Sequence, residues 1–220
     1  MDSKLYGQLD SYVSGLLAPE DGMLRSVIDS LDVEGMPQHS VFPNQGKLLQ
    51  ILIKLGGVKR ILEIGTLGGY STTWMARALS ADGKLISIEL DPSYAAVAKK
   101  NIKRAKLQNK VEIKVGEALT VLKQIDKTAG KFDLFFFDAH KPFYIKYFNW
   151  ALKHSHKGTL IIADNVIRDG KVLNRKNKEE KVIGVQKFNK MLSKNKKVSS
   201  TIITNASGNG FDGMSLSCVL

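Results

Sequence analysis

The spacing of apolar positions along the chain changes near residue 60. Before that point apolar residues recur at intervals of three and four, as at Leu24, Val27 and Leu31, which places them on one face of a helix. From Arg60 onward, short apolar runs alternate with amphipathic stretches, a pattern typical of repeated β-α units and a parallel sheet. The sequence therefore predicts one domain, 1–220, with an N-terminal helical segment, 1–57, and an α/β core, 58–220.

The predicted strands of the core are short. Runs that are apolar on both faces, at 134–137 and 160–162, predict central strands covered by helices on each side. The last two strands flank a stretch rich in turn formers, which predicts an antiparallel hairpin at one edge of the sheet. The predicted strands are 60–65, 84–90, 111–116, 132–139, 159–164, 201–204 and 214–219. Helices are expected to begin near Tyr70, Ser93, Ala118, Tyr144 and Val182.

Composition and charge narrow the class of protein. Hydrophobic residues make up 43% of the chain and charged residues 25%, which favours a soluble globular protein over a disordered one. No apolar run approaches a membrane span and no secretory signal is visible, so we expect a cytoplasmic location and no membrane partner. The net charge is +12, with basic tracts at 99–110, 171–181 and 194–197. Because aromatics do not interleave with this charge, we interpret the tracts as solvated surface and expect no nucleic-acid partner.

A glycine-rich turn, 65–69, joins the first predicted strand to the next helix. Glycine lets the backbone approach a nucleotide-like ligand closely, although tight β-α turns also need glycine for geometry alone. Glu89 ends the next strand about 24 residues after Gly65, close to the spacing at which a carboxylate meets ribose hydroxyls. The turn and Glu89 together predict a ribose-bearing cofactor.

Glu63, just before the turn, bears on the class of that cofactor. The turn departs from the dinucleotide pattern G-x-G-x-x-G, and no phosphate-cradling motif is present. A carboxylate would repel a pyrophosphate but suits an ammonium or a sulfonium group. The alternative interpretation is a strand-end residue that only hydrogen-bonds nearby backbone. We therefore predict a positively charged donor, S-adenosylmethionine, and a methyltransferase.

Two later strands end in the carboxylates Asp138 and Asp164, and Asn165 follows the second. The carboxyl ends of strands in an open α/β sheet line one crevice, so these side chains are expected to converge. Oxygen ligands without Cys or paired His suit a hard divalent cation, Mg²⁺ first, with Ca²⁺ or Mn²⁺ as alternatives. One acidic strand end alone is commonly a loop cap. Lys141 would be a surface residue by spacing alone, but beside a divalent cation its pKa would fall towards the range of a general base.

Several motifs follow one another along nearly the whole chain. They are Leu62-Glu63-Ile64-Gly65-Thr66 with Gly69-Tyr70-Ser71-Thr72, Glu89-Leu90-Asp91, Gly116-Glu117-Ala118-Leu119, Asp138-Ala139-His140-Lys141 with Tyr144, Ala163-Asp164-Asn165-Val166, and Asp212-Gly213-Met214-Ser215-Leu216. In order and spacing they closely resemble the cation-dependent O-methyltransferases related to caffeoyl-CoA and catechol O-methyltransferases. His140 is a departure, since plant members commonly carry Asp there.

The resemblance implies a Rossmann-like class I methyltransferase fold: a mostly parallel seven-stranded sheet with helices on both faces and an antiparallel C-terminal strand. It also implies a homodimer. The residues that it implies as contacts of the methyl donor are Val41, Glu63, Gly65, Thr66, Ser71, Glu89, Ala118 and Asp138. It implies Asp138, Asp164 and Asn165 as metal ligands, Lys141 and Asp138 as catalytic residues, and Asp212 as a residue near the substrate.

The predicted reaction is metal-dependent methyl transfer from S-adenosylmethionine to a hydroxyl of a small catechol-type phenolic. One alternative is a methyltransferase acting on a hydroxylated tRNA base, with the basic tracts contacting phosphates. Another is a binding module that keeps the donor pocket without turnover, against which the intact Asp138, Lys141 and Asp164 argue. The acceptor itself is not identified by the variable loop 169–181 or by the N-terminal helices.

Overall fold

The computed structural model describes residues 3–207 and 210–220, and the chain forms two compact units within it. The first unit is Tyr12–Lys127, and the second is Thr128–Leu220 together with Met1–Ser11. The single domain expected from the sequence stays a prediction. Within the described residues no helix is long and apolar enough to cross a membrane.

The first unit contains a three-stranded parallel part of the sheet, in the order β3-β2-β1. Its elements are α2 (Gly22–Val33), α3 (Pro43–Leu55), β1 (Arg60–Ile64), α4 (Tyr70–Ala78), β2 (Lys84–Glu89), α5 (Pro92–Arg104), β3 (Val111–Val115) and α6 (Ala118–Ile125), and helix α1 (Ser3–Leu17) ends in it. The strand pairing Ile64↔Ile88 brings the carboxyl ends of β1 and β2 side by side. The β-α alternation predicted from the apolar runs is confirmed here.

Helix boundaries in this unit follow local capping chemistry. The Asp21 side chain accepts from the backbone N–H of Leu24 at the start of α2, and Asp91 accepts from the N–H of Ser93 at the start of α5. The apolar positions of α2 are those of the sequence pattern, and Leu24 and Leu31 are buried. A capping residue followed by an amphipathic face therefore explains why these segments are helices.

The second unit contains the order β4-β5-β7-β6, in which β4 and β5 are parallel and β7 is antiparallel to both of its neighbours. Its elements are β4 (Phe132–Phe137), α7 (Tyr144–Lys153), β5 (Ser155–Ala163), α8 (Glu180–Leu192), β6 (Val198–Ser207) and β7 (Gly210–Val219). The predicted C-terminal hairpin is confirmed. Its strands extend towards the turn as far as the pair Ser207↔Gly210, whereas Gly208 and Asn209 of the predicted turn lie outside the described residues.

The predicted central strands lie in the core of this unit. Phe135, Phe136 and Phe137 of β4 are all fully buried, and so is Ile162 of β5. Strand β5 begins at Ser155, earlier than predicted. The prediction missed this start because the first residues of the strand are polar, and Ser155 pairs with Phe132 of β4 through the backbone. The polar residues of interest therefore stand at the ends of rigid strands.

Candidate functional site

The glycine-rich turn of the first unit needs glycine at several positions. Gly65 (φ 95°) and Gly69 (φ 87°) lie in the left-handed region that side chains disfavour. Gly68 has a different reason, because a Cβ there would lie 2.5 Å from Cδ2 of Leu31. The backbone N–H of Gly69 donates to the carbonyl of Thr66 at 2.8 Å, which closes the turn at the start of α4. The turn is thus a preformed cradle of backbone.

Glu63 lies completely buried at the end of β1. Its carboxylate accepts hydrogen bonds from the hydroxyls of Ser71 (2.5 Å), Thr72 (2.5 Å) and Ser87 (2.6 Å). Side-chain hydroxyls therefore bind this group. A carboxylate at this depth favours a positively charged ligand group beside it.

Glu89, at the end of β2, binds the glycine-rich turn directly. Its Oε2 accepts from the backbone N–H groups of Thr66 (2.9 Å) and Leu67 (2.8 Å), and its Oε1 accepts from that of Asp91 (3.0 Å). The side chain is buried, with a residue exposure of 7%. Glu89 therefore braces the turn, a role that the expected ribose contact did not include.

The two remaining predicted donor contacts of this unit lie on other elements. Ala118 begins α6, and the pairing Glu89↔Val115 places the segment before it beside the end of β2. Val41 is buried in the segment between α2 and α3. The apolar side chains of Ala118 and Val41 take no part in the hydrogen bonds of Glu63, Thr66, Ser71 and Glu89. Their contact with a donor stays a prediction.

Asp138 and Asp164 stand side by side in the second unit. Each directly follows its strand, and the register Phe137↔Ala163 aligns the two strand ends. Asp164 is 1% exposed. Burial raises the pKa of Asp164 above its usual range, and the neighbouring negative charge of Asp138 raises it further. The expected convergence of the two carboxyl groups is therefore present.

Lys141 joins this pair from the short 3₁₀ turn that precedes α7. Its ammonium donates to Asp138 Oδ1 at 2.9 Å and to the Tyr144 hydroxyl at 2.8 Å. The Tyr144 hydroxyl in turn lies 3.0 Å from the carbonyl of Phe137 and 2.9 Å from that of Asp164, both within reach of its single proton. Tyr144 thus ties the lysine to the ends of both strands. In the sequence it stood only as part of a motif, without a role.

Charge controls the protonation of Lys141. Burial alone would lower its pKa, but the carboxylate of Asp138, then the Tyr144 side chain and Asp164, outweigh burial and raise the pKa above the usual lysine range. The lowered pKa expected from the sequence depends on a bound divalent cation, whose charge would compete with the ammonium for the same carboxylates.

The donor set fits a hard divalent cation. Two neighbouring carboxylates, of which Asp164 is buried, gain from a positive charge between them, and carboxylate and amide oxygens are ligands that Mg²⁺ accepts. Across 3–207 and 210–220 no group of three His, Cys, Asp or Glu side chains could hold a metal ion. The amide of Asn165, directly after Asp164, could supply a further oxygen ligand. Asn165 has a left-handed backbone, with φ 55°.

Asp212, predicted near the substrate, lies in β7 and binds backbone. Its Oδ1 accepts from the N–H groups of Ile167 (2.9 Å) and Arg168 (3.0 Å), in the loop that follows Asn165. The predicted residues of the second unit, Asp138, Lys141, Asp164, Asn165 and Asp212, therefore belong to one neighbourhood built on the ends of β4 and β5 and on β7.

Comparisons with known proteins show relatives along the whole chain. The family model described as O-methyltransferase matches residues 18–217. A relative from Niastella koreensis named catechol O-methyltransferase is 50% identical over 220 residues, covering 100% of both chains. The solved structure of the O-methyltransferase from Bacillus cereus in complex with SAH is 40% identical, with a TM-score of 0.96 over 99% of this chain and 100% of that one.

A second solved structure agrees with the first. It is the O-methyltransferase TomG from Streptomyces achromogenes, involved in tomaymycin synthesis and bound to SAM, and it is 39% identical with a TM-score of 0.95. The match covers 100% of this chain and 99% of that one. These similarities confirm the resemblance that the motifs indicated and the predicted α/β fold class with its seven strands.

Proposed function

The chain belongs to the O-methyltransferase family, and on that premise we propose a specific reaction for it. The enzyme transfers a methyl group from S-adenosylmethionine to one hydroxyl of a small catechol-type phenolic, and the reaction depends on a divalent cation, Mg²⁺ first, with Ca²⁺ or Mn²⁺ as alternatives. The enzyme class predicted from the sequence is confirmed by the family. The catechol O-methyltransferase from Niastella koreensis, at 50% identity, supports the acceptor class.

The donor is held by the first unit. Glu63 supplies a buried negative charge that favours the cationic end of the donor, and Ser71 shares that carboxylate. Glu89 holds the turn at Thr66 and faces the ribose, as the resemblance implies. Gly65 leaves room for close approach of the donor to the backbone. Val41, Ala118 and Asp138 are the further donor contacts of this proposal.

The acceptor is activated by the second unit. Asp138, Asp164 and Asn165 would hold the cation, which when bound lowers the pKa of a phenolic hydroxyl. Lys141, whose Nζ lies 2.9 Å from Asp138 Oδ1, would take up or stabilise the proton that this hydroxyl loses, because a cation on the same carboxylates would lower the pKa of the lysine. Tyr144 keeps the lysine in place. The enzyme contributes alignment above all, since methyl transfer needs the acceptor oxygen in line with the methyl carbon.

The single observation that carries this proposal is the group formed by Asp138, Lys141, Tyr144 and Asp164. Two strand-end carboxylates, one of them buried, stand side by side. A buried lysine donates to Asp138, and a tyrosine hydroxyl fixes the lysine to both strands. A fold could be stabilised more simply by apolar packing, because burying charges is costly. Clusters of buried charged side chains are typical of catalytic sites.

The experiment is turnover of methyl-labelled S-adenosylmethionine against matched acceptors. Catechols should be methylated on one hydroxyl. Phenols with a single hydroxyl should react far more slowly, because they cannot offer two adjacent oxygens to the cation. Bulk tRNA is included because the basic tracts suggested it as an alternative acceptor, one that the relatives reported above do not support. Methylation of tRNA without methylation of any catechol would contradict the proposal.

A homodimer and a cytoplasmic location complete the proposal. Helix α1 exposes several large apolar residues that a second copy would cover: Leu5, Leu9, Tyr12, Leu16 and Leu17, between 50% and 68% exposed. Such contiguous apolar surface is typical of an interface. Sedimentation equilibrium should give twice the mass of one chain, 24.3 kDa, and Leu16→Glu should shift the protein towards the monomer.

A further inference from the structure

The loop after β5 has an unusual backbone. Asn165 (φ 55°), Arg168 (φ 55°) and Asp169 (φ 54°) all adopt the left-handed region although none is glycine, and Gly170 (φ 74°) follows them. Each side chain in this region costs free energy, so the conformation persists only where other contacts hold it. The loop begins with Asn165, the proposed amide ligand of the metal, so its shape bears directly on that site.

Asp212, on β7, makes the contacts that hold this loop. Its Oδ1 accepts from three backbone N–H groups, those of Ile167 (2.9 Å), Arg168 (3.0 Å) and Gly213 (2.9 Å). The backbone N–H of Val166 also donates to the carbonyl of Gly213, at 3.0 Å. A carboxylate is a stronger acceptor of amide N–H groups than a neutral oxygen, so this one atom anchors the loop to β7.

Further contacts restrain the same loop. The backbone N–H of Asp169 donates to the carbonyl of Phe211 at 2.8 Å, and the Phe211 N–H donates back to Asp169 Oδ1 at 3.0 Å. Gly210 allows this approach, because a Cβ there would overlap Asp169 Oδ1. From helix α8, the Asn189 side-chain amide donates to the carbonyl of Val166 at 2.8 Å.

The two residues that follow β5, Asp164 and Asn165, are held in place by different contacts. Asp164 is fixed by the sheet, because its backbone N–H donates to the carbonyl of Phe137 at 2.9 Å. Asn165 comes one residue later, with a left-handed backbone, so the direction of its side chain depends on the loop that follows. A change in that loop therefore reaches Asn165 before it reaches Asp164.

We propose that Asp212 is a positioning residue that, by accepting the backbone amides of Ile167 and Arg168, holds the loop so that Asn165 faces the metal. The proposal rests on the metal dependence of the proposed function. It gives Asp212 a role through backbone, in addition to the neighbourhood of the substrate that the resemblance implied. The carboxylate acts here as an acceptor of N–H groups, so an uncharged acceptor of the same shape can replace it.

The test compares Asp212→Ala with Asp212→Asn in the full chain. The alanine removes the acceptor, whereas the asparagine keeps a side-chain oxygen that can accept the same amides without the charge. Asp133→Ala is the matched control. Asp133 lies in β4 five positions before Asp138, about 16 Å away along the strand, and its carboxylate pairs with His156 at 2.7 Å.

Two measurements are made without S-adenosylmethionine or a catechol present. One is hydrogen exchange of the Ile167 and Arg168 amides. The other is the dissociation constant for Mn²⁺, determined from the electron paramagnetic resonance signal of the free ion. In Asp212→Ala both amides should exchange faster, and the dissociation constant should rise roughly 10- to 100-fold, the usual effect of losing a group that orients a ligand. Asp212→Asn should restore both values most of the way, and Asp133→Ala should change neither.

Three results would overturn the role of Asp212. One is unchanged exchange of both amides in Asp212→Ala, another is unchanged Mn²⁺ binding by that variant, and the third is an Asp212→Asn variant as impaired as the alanine. A wild-type chain that binds no Mn²⁺ would overturn the metal role in the proposed function as well. If Asp212→Ala does not fold, Asp169→Ala, which removes the contact of the same loop with the Phe211 N–H, should weaken Mn²⁺ binding in the same direction, and unchanged binding would contradict the role of the loop.

Discussion

The Nζ of Lys141 lies 2.8 Å from the hydroxyl of Tyr144, and both side chains are buried. The same hydroxyl lies within 3.0 Å of the carbonyls of Phe137 and Asp164, so one tyrosine fixes the lysine to the ends of two adjacent strands. An ammonium held in this way keeps one position beside Asp138. The proposed proton transfer therefore depends on a residue that takes no proton itself.

Removal of that hydroxyl should impair catalysis more than binding. Tyr144→Phe removes the hydroxyl that accepts from the Lys141 ammonium and reaches the carbonyls of Phe137 and Asp164, so we expect a lower kcat and a loss of about 1–3 kcal/mol in the free energy of unfolding. Steady-state kinetics and urea unfolding measure the two effects. Tyr147→Phe, on the same helix and equally buried, is the control, and a similar fall in kcat there would argue against a special role for Tyr144.

Lys141 itself should be required for turnover. Lys141→Met keeps much of the side-chain volume but removes the group that handles the proton, so kcat should fall roughly 10²- to 10⁴-fold. Donor affinity, measured by calorimetry, should stay close to that of the wild type. Lys146→Met is a matched substitution at an exposed lysine whose ammonium lies 4.8 Å from the centre of the Phe143 ring. A Lys141→Met enzyme with full kcat would remove Lys141 from the mechanism.

Glu89 should control donor affinity through the glycine-rich turn. Glu89→Gln keeps one oxygen for the amides of Thr66 and Leu67, but its new NH₂ group faces the N–H of Asp91. The lost charge-assisted hydrogen bonds should raise the dissociation constant for S-adenosylmethionine roughly 10- to 100-fold, with little change in kcat at saturating donor. Glu112→Gln, an exposed residue of β3, should leave donor binding as it is. Equal affinities for both variants would contradict this role.

Gly46 on α3 should allow the close packing of α3 against Trp74 of α4. A Cβ at this position would lie 2.5 Å from Cδ1 of Trp74, so Gly46→Ala should cost about 1–3 kcal/mol of unfolding free energy. Gly15→Ala on helix α1 is the control. No atom lies within 4 Å of its added Cβ, and alanine should there be neutral or stabilising by up to about 1 kcal/mol. Chemical denaturation distinguishes the two, and equal midpoints would be incompatible with the Trp74 contact.

The sequence was sufficient for the elements whose signal is local. Apolar periodicity indicated α2, the β-α alternation indicated α5, and the doubly apolar run of β4 marked a buried strand. The full length of β6 was missed because most of its added residues are polar and show no alternating apolar pattern. The pattern of residues within a segment does not indicate where polar residues pair with a neighbouring strand.

Contacts between distant positions were the other limit. Asp212 and the amide of Ile167 are separated by 45 positions, and no spacing rule connects them. Ser87 donates to Glu63 because β1 and β2 pair in register, yet a serine within a strand carries no signal of that kind. The family motifs supplied the identities of Glu63 and Asp212 but not of their partners Ser87 and Ile167, which the three-dimensional contacts identify.

The dependence of methyl transfer on a divalent cation is the central claim, and one measurement tests it directly. The rate of transfer to a catechol is measured with wild-type enzyme after removal of metal by a chelator, and again after addition of Mg²⁺. The carboxylates of Asp138 and Asp164 require a cation between them in this account, so chelation should abolish transfer and Mg²⁺ should restore it, while Asp164→Ala should stay inactive in both states. Full activity in the presence of the chelator, or in Asp164→Ala, would contradict the account.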